Sequence, residues 1–233
     1  MGGTETNVSE YVKLAKKYNA LTYLDEVHAV GLYGKGGRGV AFKNNVSNQI
    51  DIINGTLAKG FGQIGGYIVA DQTTVDFVRS FASGFIFTTS MMPSVAAAAT
   101  KSIEIVEHLD KERRDIFNKA KYFKQKLKIL DIPFIDSESH IIPILTHETS
   151  IAKLFSKLLL EQYNSYIQPI FYPTVPEGSA RLRITITPRH SIKDIDELIA
   201  SLKRLFDSES SEQAMTLKAC LLYTSPSPRD TLL

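Results

Sequence analysis

Three short apolar runs constrain this chain more than any other feature of its sequence. "ALTYLDEV" (20–27), "DIINGTLA" (51–58) and "GGYIVA" (65–70) are too short for stable helices and read as buried strands. Helical material precedes them. In "EYVKLAKKYNA", Tyr11, Val12, Leu14 and Ala15 recur at helical spacing, with Ser9 expected as N-cap. Short apolar strands alternating with helices predict an α/β layer built on a mainly parallel sheet.

From Pro93 the pattern turns helical. "SVAAAATKSIEIVEHLD" is alanine-rich and sets Ile103, Val106 and Leu109 along one face, and "ERRDIFNKAKYFKQKLKIL" continues as a second amphipathic segment. "PFI", "HIIPILT" and "RLRITIT" follow as strands, with the helix "TSIAKLFSKLLLEQ" between the last two. The closing helix "SIKDIDELIASLKRLF" takes Ser191 as cap, with Asp194 three residues on. The expected organisation is therefore an α/β part over 1–108 and a small α+β domain over 109–207. The stretch 208–233, ending "AMTLKACLLYTSPSPRDTLL", has neither period and is expected to be an unstructured, non-native tail.

Composition removes several function classes. A formal net charge of +2 gives no reason to expect nucleic acid or an anionic membrane as partner. The single cysteine, Cys220, excludes an internal disulfide framework and fits a reducing compartment. No apolar run approaches the ~20 residues of a membrane helix. The opening "MGGTETNVSE" lacks the basic and apolar regions of a signal peptide. No metal site is expected.

Ligands of α/β sheets bind beyond the carboxyl ends of the strands. Asp25 stands at such an end, with His28 three residues on, and both can point into one crevice. Read singly, Asp25 is a helix cap or turn former, Glu26 a surface or structural carboxylate, and His28 a histidine satisfied by backbone groups. Gly34-x-Gly36-x-x-Gly39 matches a dinucleotide fingerprint, but that motif needs a strand running straight into the glycines and a helix opening from them. Gly34 lies nine positions after Asp25, and "VAFKNNVSNQ" starts a helix poorly, so a nucleotide-binding module is the weaker reading. Lys59 follows the second strand among Gly55, Gly60, Gly62, Gly65 and Gly66, small neighbours that admit a planar group. Partly desolvated there, a lysine can serve as a Schiff-base amine; alone, it reads as a solvated charge. With an acid and a histidine on neighbouring strand ends, it makes a pyridoxal phosphate site a specific expectation.

"LDEVHAVGLYG", "DIINGTLAKGFGQIGGYI", "GFIFTTS", "SHIIPI" and "YPTVPEGSARLRITITPRH" carry a resemblance that runs unbroken from about residue 5 to about residue 206. Over this span the chain resembles the 5-aminolevulinate synthases of the α-oxoamine synthase family, fold-type-I pyridoxal-phosphate enzymes. The resemblance implies the C-terminal part of a large, mainly parallel-sheet domain followed by a smaller α+β C-terminal domain. It implies that Lys59 holds pyridoxal 5'-phosphate as a Schiff base and moves protons at the glycine α-carbon. Asp25 would pair with the pyridinium nitrogen, His28 with the phenolic oxygen, and Thr56 with the phosphate. Thr88 and Thr89 would reach the phosphate of a neighbouring subunit, making a homodimer with a shared site. Arg183 would hold the glycine carboxylate, a task its planar fork suits, and Thr174 the carboxylate of the succinyl group. Arg181 is expected to be a surface strand charge.

The reaction so implied condenses glycine with succinyl-CoA to 5-aminolevulinate, CoA and carbon dioxide, the first committed step of tetrapyrrole synthesis. The compartment would be the mitochondrial matrix or the bacterial cytoplasm. The family carries a substantial portion upstream of this stretch, so the chain is expected to be its C-terminal half. An exposed sheet edge should then leave it poorly soluble or inactive alone. Gly60 stands where alanine is usual in the family, and "SMMPS" replaces "S-L-P-P". Glycine C-acetyltransferase, 8-amino-7-oxononanoate synthase and a non-catalytic truncated product are the alternatives.

Overall fold

A computed structural model describes residues 2–209. Cys220 and the rest of the expected tail lie outside the described residues, although the last helix runs through Glu209 and so enters the stretch assigned to the tail. The chain divides into two compact units, Thr6–Arg114 and residues 2–5 with 115–209. The division falls after Arg114, while residue 108, where the boundary was expected, is the C-cap of the alanine-rich helix.

The first unit opens with α1 (Val8–Lys17). Its N-cap position is Asn7, whose side chain makes no capping hydrogen bond, so Ser9 lies inside the helix and not at its start. Glu10 in the first turn and Lys16 and Lys17 in the last complement the helix dipole. β1 (Tyr23–Asp25), α2 (Val40–Lys43), β2 (Ile52–Thr56) and β3 (Gly66–Ala70) follow. β1 and β2 pair in parallel, Asp25 opposite Asn54, whereas β2 and β3 pair antiparallel, Thr56 opposite Gly66. The expected parallel character thus holds for one pairing of two. Residues 57–65 are too few for the crossover a parallel return requires, so the chain doubles back. The Asp51 carboxylate accepts from both the backbone N–H and the hydroxyl of Thr22 at 2.7 Å, pinning the starts of β1 and β2 together.

α3 (Gln72–Phe81) was not legible as a separate helix in the strand-first reading. Its N-cap Asp71 accepts from the Thr74 backbone N–H at 3.0 Å. α4 (Ser83–Ile86) and α5 (Pro93–Glu107) follow. α5 has proline at its first turn and buries Ala99. Ile103, expected on a covered face, is exposed, while Val106 on the next turn packs against a cluster of Val30, Leu57, Phe61 and Ala99.

α6 (Asp110–Ile129) crosses the division. The second unit continues with β4 (Ile141–His147), α7 (Thr149–Tyr163), β5 (Gln168–Ile170), β6 (Ala180–Thr185) and α8 (Ile192–Glu209). Its antiparallel sheet runs β4-β6-β5. Phe123 and Leu127 of α6, Ile151 and Leu159 of α7 and Leu202 of α8 close over Ile142, Ile144, Leu182 and Ile184 in one core. Strand alternation sends Leu182 and Ile184 to that core and Arg181 and Arg183 to the opposite face. The expected α8 cap is present and reciprocal: Ser191 N–H donates to the Asp194 carboxylate at 2.7 Å, and Asp194 N–H donates to the Ser191 hydroxyl at 3.1 Å. No helix among the described residues is long and apolar enough to cross a membrane.

Candidate functional site

Six of the eight expected site residues lie in the first unit, and four of those sit at or just past the carboxyl ends of the adjacent strands β1 and β2. Asp25 closes β1, and its Oδ1 accepts the Val27 backbone N–H at 2.9 Å. The register places Asn54 opposite it, so Asp25, Asn54 and Thr56 share a sheet face. Asn54, which sequence reading did not single out, is therefore the cross-strand neighbour of Asp25 on that face. Thr56 ends β2; its hydroxyl donates to the Gly65 carbonyl at 3.1 Å and accepts from the Ala58 N–H at 3.1 Å.

His28 lies in the turn just past β1, where the N–H groups of Ala29 and Val30 donate to the Glu26 carbonyl at 2.8 and 3.0 Å. Lys59 lies in the loop leaving β2. Leu57 and Phe61 on either side of it are buried, and the Lys59 carbonyl accepts the Gly62 N–H at 3.1 Å. The amine itself is exposed, so the expectation of a partly desolvated lysine is corrected for this chain: the apolar anchors turn inward and lever the lysine out. Glycine sets the separation of the two segments. A Cβ on Gly60 would stand 2.8 Å from the Val30 carbonyl oxygen, and one on Gly31 would stand 3.3 Å from the Gly60 Cα. The turn bearing His28 and the loop bearing Lys59 thus approach backbone to backbone.

The glycines that mimic a dinucleotide fingerprint have another task. Gly34, Gly36 and Gly39 all have positive φ, at 72°, 67° and 101°, and the helix after them, α2, has only four residues. Of the three, Gly39 stands against Glu26. Glu26 is 2% exposed, and its carboxylate accepts the N–H groups of Val40 at 2.8 Å and Ala41 at 2.6 Å. Burial raises its pKa above the ordinary value, against the opposing pull of those two N–H groups. Of its two expected readings, the structural one holds. A second buried charge escaped sequence reading: the Arg113 guanidinium binds the Val106 carbonyl at 2.7 Å and Asp110 at 2.7 Å, locking the end of α5.

Thr88 and Thr89 lie after α4 and are exposed. Arg183 and Thr174 belong to the second unit. Arg183 is half-buried in the central strand, where desolvation lowers its pKa. It lines a cavity of about 300 Å³ with Tyr166, Thr185, His190 and Asp194, and Thr174 is not among the lining residues. Thr174 is exposed in the β5–β6 connection, its N–H donating to the Phe171 carbonyl at 2.9 Å. Arg181 is not the surface charge expected. It is buried, because β6 is flanked by β4 and β5, and its Nε donates to the Ser179 carbonyl at 3.0 Å.

The family model described as aminotransferase class I and II matches residues 1–202. The chain belongs to that family. Curated relatives include the 5-aminolevulinate synthases of Rickettsia prowazekii (strain Madrid E), 46% identical over 89% of this chain and 50% of that protein, and Rickettsia bellii, 44% identical over 93% and 52%. That of Rhodobacter capsulatus is 45% identical over 88% and 51%. The chain thus spans about half the length of the curated relatives it matches. Among solved structures it resembles the serine palmitoyltransferase of S. paucimobilis, which carries a bound PLP–myriocin aldimine. The TM-score is 0.83 and the identity 28%, over 89% of this chain and 52% of the other. An 8-amino-7-oxononanoate synthase from Francisella tularensis shares the fold, with TM-score 0.75 and 22% identity over 87% and 59%.

Proposed function

We propose that this chain supplies the lysine-bearing part of a pyridoxal-phosphate enzyme that condenses glycine with succinyl-CoA to 5-aminolevulinate, CoA and carbon dioxide. The observation that carries the reading is the position of Asp25, His28, Thr56 and Lys59 at or just past the carboxyl ends of the adjacent strands β1 and β2, in a chain about 45% identical to 5-aminolevulinate synthases. The donor set fits the cofactor: an amine for its carbonyl carbon, a carboxylate for its ring nitrogen, an imidazole for its phenolic oxygen and a hydroxyl for its phosphate.

When bound, pyridoxal phosphate supplies an electron-poor ring that accepts the electron pair left at an amino-acid α-carbon. The chain's own residues do the rest. Asp25 spends Oδ1 on the Val27 N–H, which aims the carboxylate and leaves Oδ2 for the ring nitrogen. The Thr56 hydroxyl exchanges the Gly65 carbonyl for a phosphate oxygen. The Lys59 amine would hold the cofactor and would take and return the proton at the glycine α-carbon. Arg183 binds the glycine carboxylate with its fork, and Thr174 contacts the succinyl carboxylate. Thr88 and Thr89 serve the phosphate of a second copy in a homodimer.

The test uses the complete enzyme that carries this chain. Pyridoxal phosphate should give a visible absorbance band, absent in Lys59→Ala, and turnover with glycine should favour succinyl-CoA over acetyl and pimeloyl thioesters. A Lys59→Ala protein that keeps the band would refute the lysine's role. Preference for another thioester would move the chain to a different α-oxoamine synthase.

A further inference from the structure

We propose that Glu26 is a positioning residue for His28: by clamping the glycine loop through Val40 and Ala41, it fixes the turn that presents the imidazole. The inference rests on the reading of His28 as a cofactor ligand.

Glu26 is tied down at every polar atom. Its N–H donates to the Asn54 carbonyl of β2 at 2.8 Å, and its carbonyl accepts the N–H groups of Ala29 and Val30, the two residues that follow His28 and close the turn. Its two carboxylate oxygens each accept one N–H at the start of α2. Between those points the chain closes on itself: Gly31 N–H donates to the Gly37 carbonyl at 2.7 Å, and Gly39 N–H donates to the Tyr33 carbonyl at 2.8 Å. Residues 26–41 therefore form a loop stapled at its mouth by one side chain, with His28 in its first turn.

Gly39 is the counterpart of that staple. Its φ of 101° is one that a side chain rarely adopts, and a Cβ there would overlap the Glu26 carboxylate itself. A carboxyl so buried holds the geometry, because replacing it leaves two buried N–H donors unmatched. A glutamine at 26 would accept only one of them and turn an NH₂ toward the other.

Four variants test the proposal in the complete enzyme: Glu26→Gln, Glu26→Asp, Gly39→Ala and the double variant Glu26→Gln/Gly39→Ala. Without cofactor, amide hydrogen exchange is read at Val40 and Ala41. With pyridoxal phosphate added, affinity and the pH titration of the visible band are read. Exchange at both amides should quicken in Glu26→Gln, cofactor affinity should fall about 10-fold, and the band's titration should shift, since His28 faces the phenolic oxygen. Glu26→Asp should fall between it and the unaltered protein. Gly39→Ala should reproduce the effect, and the double variant should be no worse than either single one, because both remove the same contact. Glu104→Gln, on an exposed ion pair with Lys101, should change neither reading.

Should Glu26→Gln fail to fold, Gly39→Ala reads the same quantities with the carboxylate intact. Faster exchange with affinity and titration unchanged would make Glu26 structural only and overturn the inference. Additive losses in the double variant would overturn the pairing with Gly39. An unaltered enzyme with no band at all would instead refute the cofactor reading on which His28's role depends.

Discussion

Glu26 also makes a pH-dependent contribution to stability whose sign can be worked out. Burial raises its folded-state pKa above the value of 4.5 it has when solvated, so between those two values the folded chain holds a proton that the unfolded chain has released. Its contribution is therefore complete below about pH 4.5 and is lost as pH rises through the folded pKa. Denaturant unfolding of the unaltered protein and Glu26→Gln across this range should show their difference in free energy shifting against the glutamate as pH rises. A difference that is flat, or moves the other way, would mean the carboxylate is not desolvated. Residues of the site differ in how legible they were. The placement of Asp25, His28 and Lys59 at or just past strand ends could be read because strand ends are marked by neighbours in the chain. Glu26 could not, since its partners lie 14 and 15 residues away. Arg181 was misread for a related reason: alternation fixes a side chain's face, but only the sheet order reveals that both flanks are covered.

Among the elements, β6 is the one on which the second unit depends. It pairs with β4 on one side and β5 on the other, and Leu182 at its middle is fully buried among residues from four further elements. Leu182→Ala should cost about 2–5 kcal/mol, the range for emptying a close-packed leucine site. Urea denaturation would read it as a lowered midpoint at constant slope. A loss below about 1 kcal/mol would mean the site collapses and that β6 is not its structural centre. The helices here were legible because each repeats its apolar residues over several turns; α7 and α8 match the expected runs closely. β5 was not, having three residues with Pro169 at its middle. Proline argues against a central strand and is tolerated here because β5 is an edge. α3 escaped because "DQTTVDFVRSF" follows a strand without a break; its Asp71 and Thr74 spacing was the available signal.

At the scale of the molecule, two exposed apolar surfaces on the first unit need partners. β1 is an edge strand, and Tyr11, Leu14 and Tyr18 of α1 line a cavity of about 490 Å³ beside it with Leu21 and Tyr23. Leu21 is 85% exposed. Surface of this kind promotes association, so the isolated chain should bind an apolar dye and aggregate with rising concentration. A monomeric, dye-free chain would contradict this.

The second surface runs through Phe77, Phe81, Phe85, Phe87 and Met92, with Phe77 and Phe81 stacked at 4.9 Å and Phe87 87% exposed. Thr88 and Thr89 follow Phe87 directly. The proposal that these threonines serve a second copy's phosphate puts this patch beside the contact between copies. That arrangement can be tested by mixing. Lys59→Ala enzyme has no amine in either site, while Thr88→Ala/Thr89→Ala enzyme lacks the hydroxyls that each copy lends. A mixed dimer pairs one intact Lys59 with intact threonines from its partner, restoring one site and doubling the damage in the other. Random exchange of equal amounts gives half mixed dimers, so turnover should recover to about a quarter of the unaltered enzyme's. If the threonines act within their own copy, mixing restores nothing, and activity stays at the mean of the two defective parents. Phe87→Asp in both copies should abolish the recovery by preventing the dimer from forming, which sedimentation would show directly.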